Sequence, residues 1–196
     1  MQNERDRPVS KRSKSGGQPG WRDIDRGKEM VEEVILEQVL DSYPIITDRV
    51  VTDDWEGEAE QVEGSPDHIV GFDGRPFGIE LTEIRGVEDA WDYVEEAYRL
   101  ASRKSDSYTR RRIFRFPIAL VMYSSEPPLF DIGRELARAV CQEDFETFGF
   151  TEVWAIDFSD AYYSEGHPLR RADMFCFKPA NWFGFHRIGG SRKPYG

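Results

Sequence analysis

Cysteine and histidine are scarce in this 196-residue chain, at two and three residues. Cys141 and Cys176 stand far apart without CxxC or Cys/His spacing, which excludes a disulfide framework and a structural zinc site. A reducing, cytoplasmic setting is expected. No stretch approaches the roughly 18 apolar residues of a membrane span, and Met1 to Asp6 lack the charged-then-apolar order of a secretory signal, so no membrane partner is expected. A Walker A loop, a GxGxxG turn, a Ser-His-Asp or Cys-His arrangement and internal repeats are also missing. Basic charge is in deficit as well, with 26 Lys and Arg against 37 Asp and Glu and a net charge of −11. A polyanionic partner therefore needs a local basic patch, because bulk electrostatics repels it.

Apolar material is plentiful. Five Trp, eight Tyr and thirteen Phe in a chain that is 39% hydrophobic suffice for one buried core. Residues 1–20 hold five basic and two acidic side chains among Ser, Gly and Pro, and are expected to form a disordered basic tail. Residues 21–196 are expected to form a single α/β domain.

Met30, Val31, Val34, Ile35, Val39 and Leu40 recur at three- and four-residue spacing and predict a helix over 25–42, stopped by Tyr43-Pro44. Asp48 to Thr52 predicts a short strand, and the acidic run from Asp53 to Glu63 a solvated loop or edge. Two strands, 67–72 and 75–84, flank Asp73-Gly74, a strong signal for a two-residue hairpin turn. Val87, Ala90, Trp91, Val94, Tyr98 and Ala101 mark a second helix, and the apolar run 117–123 a buried strand. A third helix from Asp131 and strands over 152–158 and 172–177 precede an aromatic, Gly-rich C-terminus. The order predicts a mixed central β-sheet flanked by helices.

The hairpin fixes a register. With Asp73 and Gly74 at the turn, Asp67 faces Glu80, and His68, Val70, Phe72, Phe77, Ile79 and Leu81 share the apolar face. Two carboxylates directly across an antiparallel pair repel each other unless a cation or a shared proton lies between them. A divalent metal satisfies that condition; carboxylates pointing apart into water satisfy it too.

Pro66-Asp67, twelve intervening residues and Glu80-Leu81-Thr82, between an acidic helix and an amphipathic one, resemble the PD-(D/E)XK nuclease superfamily over roughly residues 28–125. The resemblance implies a restriction-endonuclease-like αβββαβ core with a C-terminal extension. It also implies Mg²⁺ or Mn²⁺ at Asp67 and Glu80, with the Leu81 carbonyl as a third ligand. The sequence departs from the family at Thr82, which stands where the motif lysine belongs and can neither carry a positive charge nor act as a base at neutral pH. Members of the family move this lysine to the following helix. Here Lys104 falls beside the stripe of Ala97 and Ala101, whereas Arg103 points further into solvent; Lys104 is either the substitute or a solvated helix lysine. A first-helix acid often completes the family's site, and Glu32, inside the apolar stripe where Glu29, Glu33 and Glu37 are not, is the candidate.

Between residues 99 and 115, Arg99, Arg103, Lys104, Arg110, Arg111, Arg112 and Arg115 face one acid, Asp106. This segment either carries a DNA or RNA backbone toward Asp67 and Glu80, or complements the acidic stretch 53–63 within the molecule or across a homodimer. Trp182, Phe183, Phe185 and His186 with Arg187, Arg192 and Lys193 read either as a stacking platform for single strands or as core. His68 and His167 read as ordinary core and loop residues. Two functions remain: a metal-dependent nuclease acting on DNA or RNA, and a noncatalytic module of the same fold that binds a protein partner.

Overall fold

The computed structural model describes residues 21–52, 65–111, 113, 115–124, 132–140, 144–157 and 172–188. The expected tail 1–20, the acidic run 53–63, Arg112, Cys141, His167, Arg192 and Lys193 lie outside them. The elements are α1 (Trp21–Thr47), β1 (Val51–Thr52), β2 (His68–Phe72), β3 (Arg75–Glu83), α2 (Ala90–Arg111), β4 (Ile118–Tyr123), α3 (Ile132–Ala139), β5 (Glu152–Asp157), β6 (Asp173–Lys178) and β7 (Gly184–His186). The seven strands form one mixed sheet in chain order. β3, β4 and β5 are parallel in its centre, and the outer pairs are antiparallel.

Alternation of side chains across the strands splits the core into two layers. Ile35, Val39 and Tyr43 of α1 pack on Phe72, Phe77, Ile79, Leu81, Val121 and Trp154. On the other face Val94, Ala97, Leu100 and Ala101 of α2 and Leu136 of α3 cover Leu120, Met122, Val153 and Phe175. β4 is buried along its whole length, as its uninterrupted apolar run requires. No helix among the described residues is long and apolar enough to cross a membrane.

Two sequence expectations change. Pro44 does not stop α1, which runs on to Thr47. A proline that close to the end forfeits one backbone bond, and the last turn is closed by Asp48 N–H donating to the Pro44 carbonyl at 3.0 Å. Asp48 takes the left-handed capping conformation at φ +56°. Trp91, counted with the buried stripe of α2, is instead 53% exposed.

The hairpin has the expected register: Phe72 pairs with Arg75 and His68 with Ile79, and Asp73 and Gly74 both have positive φ, at 50° and 72°. Pro66 packs over Gly78, where a Cβ would lie 2.8 Å from the Pro66 ring and 3.1 Å from Ile118 and Phe116. Gly78→Ala is expected to lower the unfolding free energy in urea by about 1–3 kcal/mol through overpacking. An unchanged midpoint would show that Pro66, and Asp67 with it, can move aside freely.

Candidate active site

Asp67 precedes β2, so the ladder ends one residue short of it, and the N–H of Leu81 would otherwise lack a strand partner. The Asp67 carboxylate supplies one: its Oδ2 accepts the Leu81 N–H at 2.8 Å. The N–H groups of Gly78 and Ile84 face β4, donating to Pro117 and Tyr123. By alternation those of Ile79 and Leu81 face β2, and the Leu81 carbonyl leaves the strand on the same side as Asp67.

Glu80, one residue earlier, points to the opposite layer beneath α2 and is 4% exposed. Its two oxygens are taken by α2: Lys104 Nζ donates to Oε1 and the Tyr108 hydroxyl to Oε2. Burial raises the Glu80 pKa, and the charge of Asp67 raises it further, while Lys104 and Tyr108 pull it back. Tyr108 is pushed far above the usual tyrosine range by burial and by Glu80, so it remains a donor at physiological pH. Tyr108 escaped the sequence reading, although its four-residue spacing from Lys104 places both on one side of a helix.

Thr82 shares the Glu80 face of β3. It is 8% exposed, and its buried hydroxyl has no hydrogen-bond partner among the described residues. Glu32 lies on α1, across the sheet from Glu80, paired with Lys28 at 3.2 Å. The Tyr123 hydroxyl is pushed up to about 12 by burial, then by Glu32 and Glu83, with Asp67 adding a smaller effect. Among the described residues no group of three or more His, Cys, Asp or Glu side chains is placed to hold a metal ion.

The basic segment does not form one track toward this site. At 100° per residue Lys104, Tyr108 and Arg111 share the side of α2 that meets Glu80, and the Arg111 charge acts on Tyr108. Arg99, Arg103 and Arg110 lie on a different flank, about 100–140° around the axis from Lys104. There they line an open groove of about 580 Å³ with Tyr98, Ser102 and Asp106. Arg99 is bound to Glu96 through Nε at 2.7 Å and Nη2 at 2.5 Å, which holds the Glu96 carboxyl below its usual range.

A second buried polar cluster sits under α1. Glu152, fully buried at the start of β5, accepts from Tyr43 OH at 2.7 Å, Arg49 Nη1 at 3.0 Å and Trp154 Nε1 at 2.8 Å. Arg49 also donates to Tyr43 OH at 2.6 Å, and its guanidinium lies 5.1 Å from the centre of the Trp182 ring. Trp182 thus belongs to the core, whereas Phe183 is 45% exposed. The only sequence signal was Glu152 sharing strand parity with Trp154. Cys176 is buried in the same layer, and burial and Glu152 push its thiol up, so it is no nucleophile at neutral pH. In comparisons with family models, curated proteins and solved structures, the chain matches none.

Proposed function

We propose that the protein is a divalent-metal-dependent nuclease with a restriction-endonuclease-like core, hydrolysing phosphodiesters of DNA or RNA. The observation that carries this reading is the convergence of Asp67, Glu80 and Lys104 from three separate elements. A buried glutamate, an exposed aspartate just before the neighbouring strand and a lysine brought by the next helix would supply two anionic ligands and the cation that Thr82 cannot. The strand pairing supports it too, since β1, β2 and β3 are antiparallel and β3–α2–β4 is a parallel crossover.

In this reading Asp67, Glu80 and the Leu81 carbonyl would hold the ion, which would supply Lewis-acid stabilisation of charge on the scissile phosphate and a more acidic water. Asp67 stays anchored to β3 through the Leu81 N–H, so its remaining lone pairs keep one direction. Tyr108 fixes the Glu80 carboxylate. Lys104 places a positive charge within reach of the phosphate, and Arg111 adds a second on the same side of α2. Glu32, on α1 across the sheet from Glu80 and paired with Lys28, stays outside this set.

The test is a cleavage assay on single- and double-stranded DNA and RNA with Mg²⁺ or Mn²⁺, run beside thermal melts. The wild type is expected to cleave and to melt higher with metal, because an ion bound only to the native state adds RT ln(1 + [L]/Kd). Asp67→Asn is expected to lose both effects. No cleavage and no metal-dependent shift in the wild type would leave the protein-binding module as the survivor.

A further inference from the structure

The geometry points to a second site, on the α1 face of the sheet: a cavity bordered by Arg49 and Arg75 that binds a small monocarboxylate with an apolar body of about one ring. It stands independently of the nuclease reading, because Glu80 lies on the other face.

The cavity measures about 350 Å³, toward the lower end of the range for small-molecule sites. It sits where the hairpin turns. Val50 exchanges two bonds with Asp73, donating to its Oδ1 at 3.1 Å and accepting its N–H at 3.0 Å, which sets Arg49 on one side of the turn. Arg75 leaves the turn on the other side. It has the strand parity of Phe77, and the Arg49 guanidinium lies 5.7 Å from the centre of the Phe77 ring, so both cations belong to the α1 layer. Phe72, Pro76, Phe77 and Pro117 give the cavity apolar walls.

Arg49 is oriented before any ligand arrives. Both of its hydrogen bonds among the described residues leave from Nη1, to Tyr43 OH at 2.6 Å and Glu152 Oε1 at 3.0 Å. The rings of Tyr43, Phe77 and Trp182 lie within 6 Å of the guanidinium, at 5.8, 5.7 and 5.1 Å, and restrict its plane. The other edge of the group, Nε with Nη2, is uncommitted, and this is a fork that takes a carboxylate through two parallel bonds. The side chain is 30% exposed and lines the cavity, so the fork has access to it. Arg75 is exposed and has no bonded partner among the described residues, and supplies the second donor.

The charges choose among anions. Arg49 and Arg75 stand against Glu152 and Asp73, which leaves the cavity without net charge. Recognition then rests on the geometry of the fork rather than on a field. The buried Glu152 carboxylate behind Arg49 repels the second charge of a phosphate more than it repels a single carboxylate.

The experiment titrates benzoate, benzamide and phenyl phosphate into the full chain by calorimetry, and follows the arginine Nε–H signals by NMR. Benzoate is expected to bind with a Kd of about 1 mM and to move the Arg49 Nε–H signal, recognised by its loss in Arg49→Lys. Benzamide, which has the shape without the charge, and phenyl phosphate are each expected to bind about tenfold more weakly. Arg75→Gln, a change at an exposed position with folding checked by a melt, is expected to weaken benzoate about tenfold. No benzoate binding at about ten times the expected Kd overturns the inference. So does benzamide or phenyl phosphate binding as tightly as benzoate, an Arg49 Nε–H signal that benzoate leaves in place, or a folded Arg75→Gln that binds benzoate like the wild type.

Discussion

Replacing Arg49 by methionine is expected to lower the unfolding free energy by about 3–5 kcal/mol, the cost of removing one partner from a buried ion pair. Glu152 is the reason. Its side chain is completely inaccessible, and Arg49 is its one cationic partner among the described residues, beside two neutral donors, Tyr43 and Trp154. Methionine keeps the aliphatic stem but not the guanidinium over Trp182 and Phe77, so the loss combines the ion pair with these cation–π contacts. Urea unfolding with an unchanged m-value measures it. In the double variant Arg49→Met/Glu152→Leu much of the loss should return, since an apolar pair has no desolvation to offset. A loss below about 1 kcal/mol for Arg49→Met would mean that Glu152 is protonated in the folded protein.

Glu80→Gln is expected to reduce metal-dependent cleavage about a thousandfold, equivalent to about 4 kcal/mol of transition-state stabilisation. It is also expected to change how stability depends on pH. Burial and Asp67 raise the Glu80 pKa in the folded state, and burial raises that of Glu152. The folded protein therefore holds protons that the unfolded chain has released. The stability each group contributes is present below its unfolded pKa, near 4.5, and is lost as pH rises through the folded value. Without metal, the wild-type urea midpoint should fall as pH rises from about 4.5 toward neutrality, and Glu80→Gln should flatten that slope by removing one of the two groups. Glu96, with its lowered pKa, acts only below this window. A midpoint for Glu80→Gln that tracks the wild type across the window would show that Glu80 stays ionised throughout.

The parts of the site that were legible in the sequence rest on short-range rules. Asp73-Gly74 fixes the hairpin register as far as the His68–Ile79 pair, one residue short of Asp67 and Glu80. Helical arithmetic turns Lys104 rather than Arg103 toward the sheet. The rest depends on partners far away in the chain. Glu152 meets Tyr43 across 109 residues and Arg49 across 103, and nothing local to β5 announces either. The basic run misled for a related reason. Composition counts charges over a segment, whereas a helix distributes them around its axis, and Arg99, Arg103 and Arg110 ended on the side away from Glu80. Pro44 misled because helix-breaking rules describe interiors, and this proline lies near the end of α1.

The two outermost strands carry a consequence for self-association. β1 has two residues and β7 three, while the strands between them have five to nine. A β-sheet recruits a second copy of itself through unpaired backbone groups along its rim, and a rim this short offers too few of them for an intermolecular ladder to nucleate. The central strand β4, the most apolar run of the sheet, has β3 on one side and β5 on the other and lies away from these short borders. Copies of the chain that meet at β1 or β7 therefore find a ladder of only two or three residues to extend.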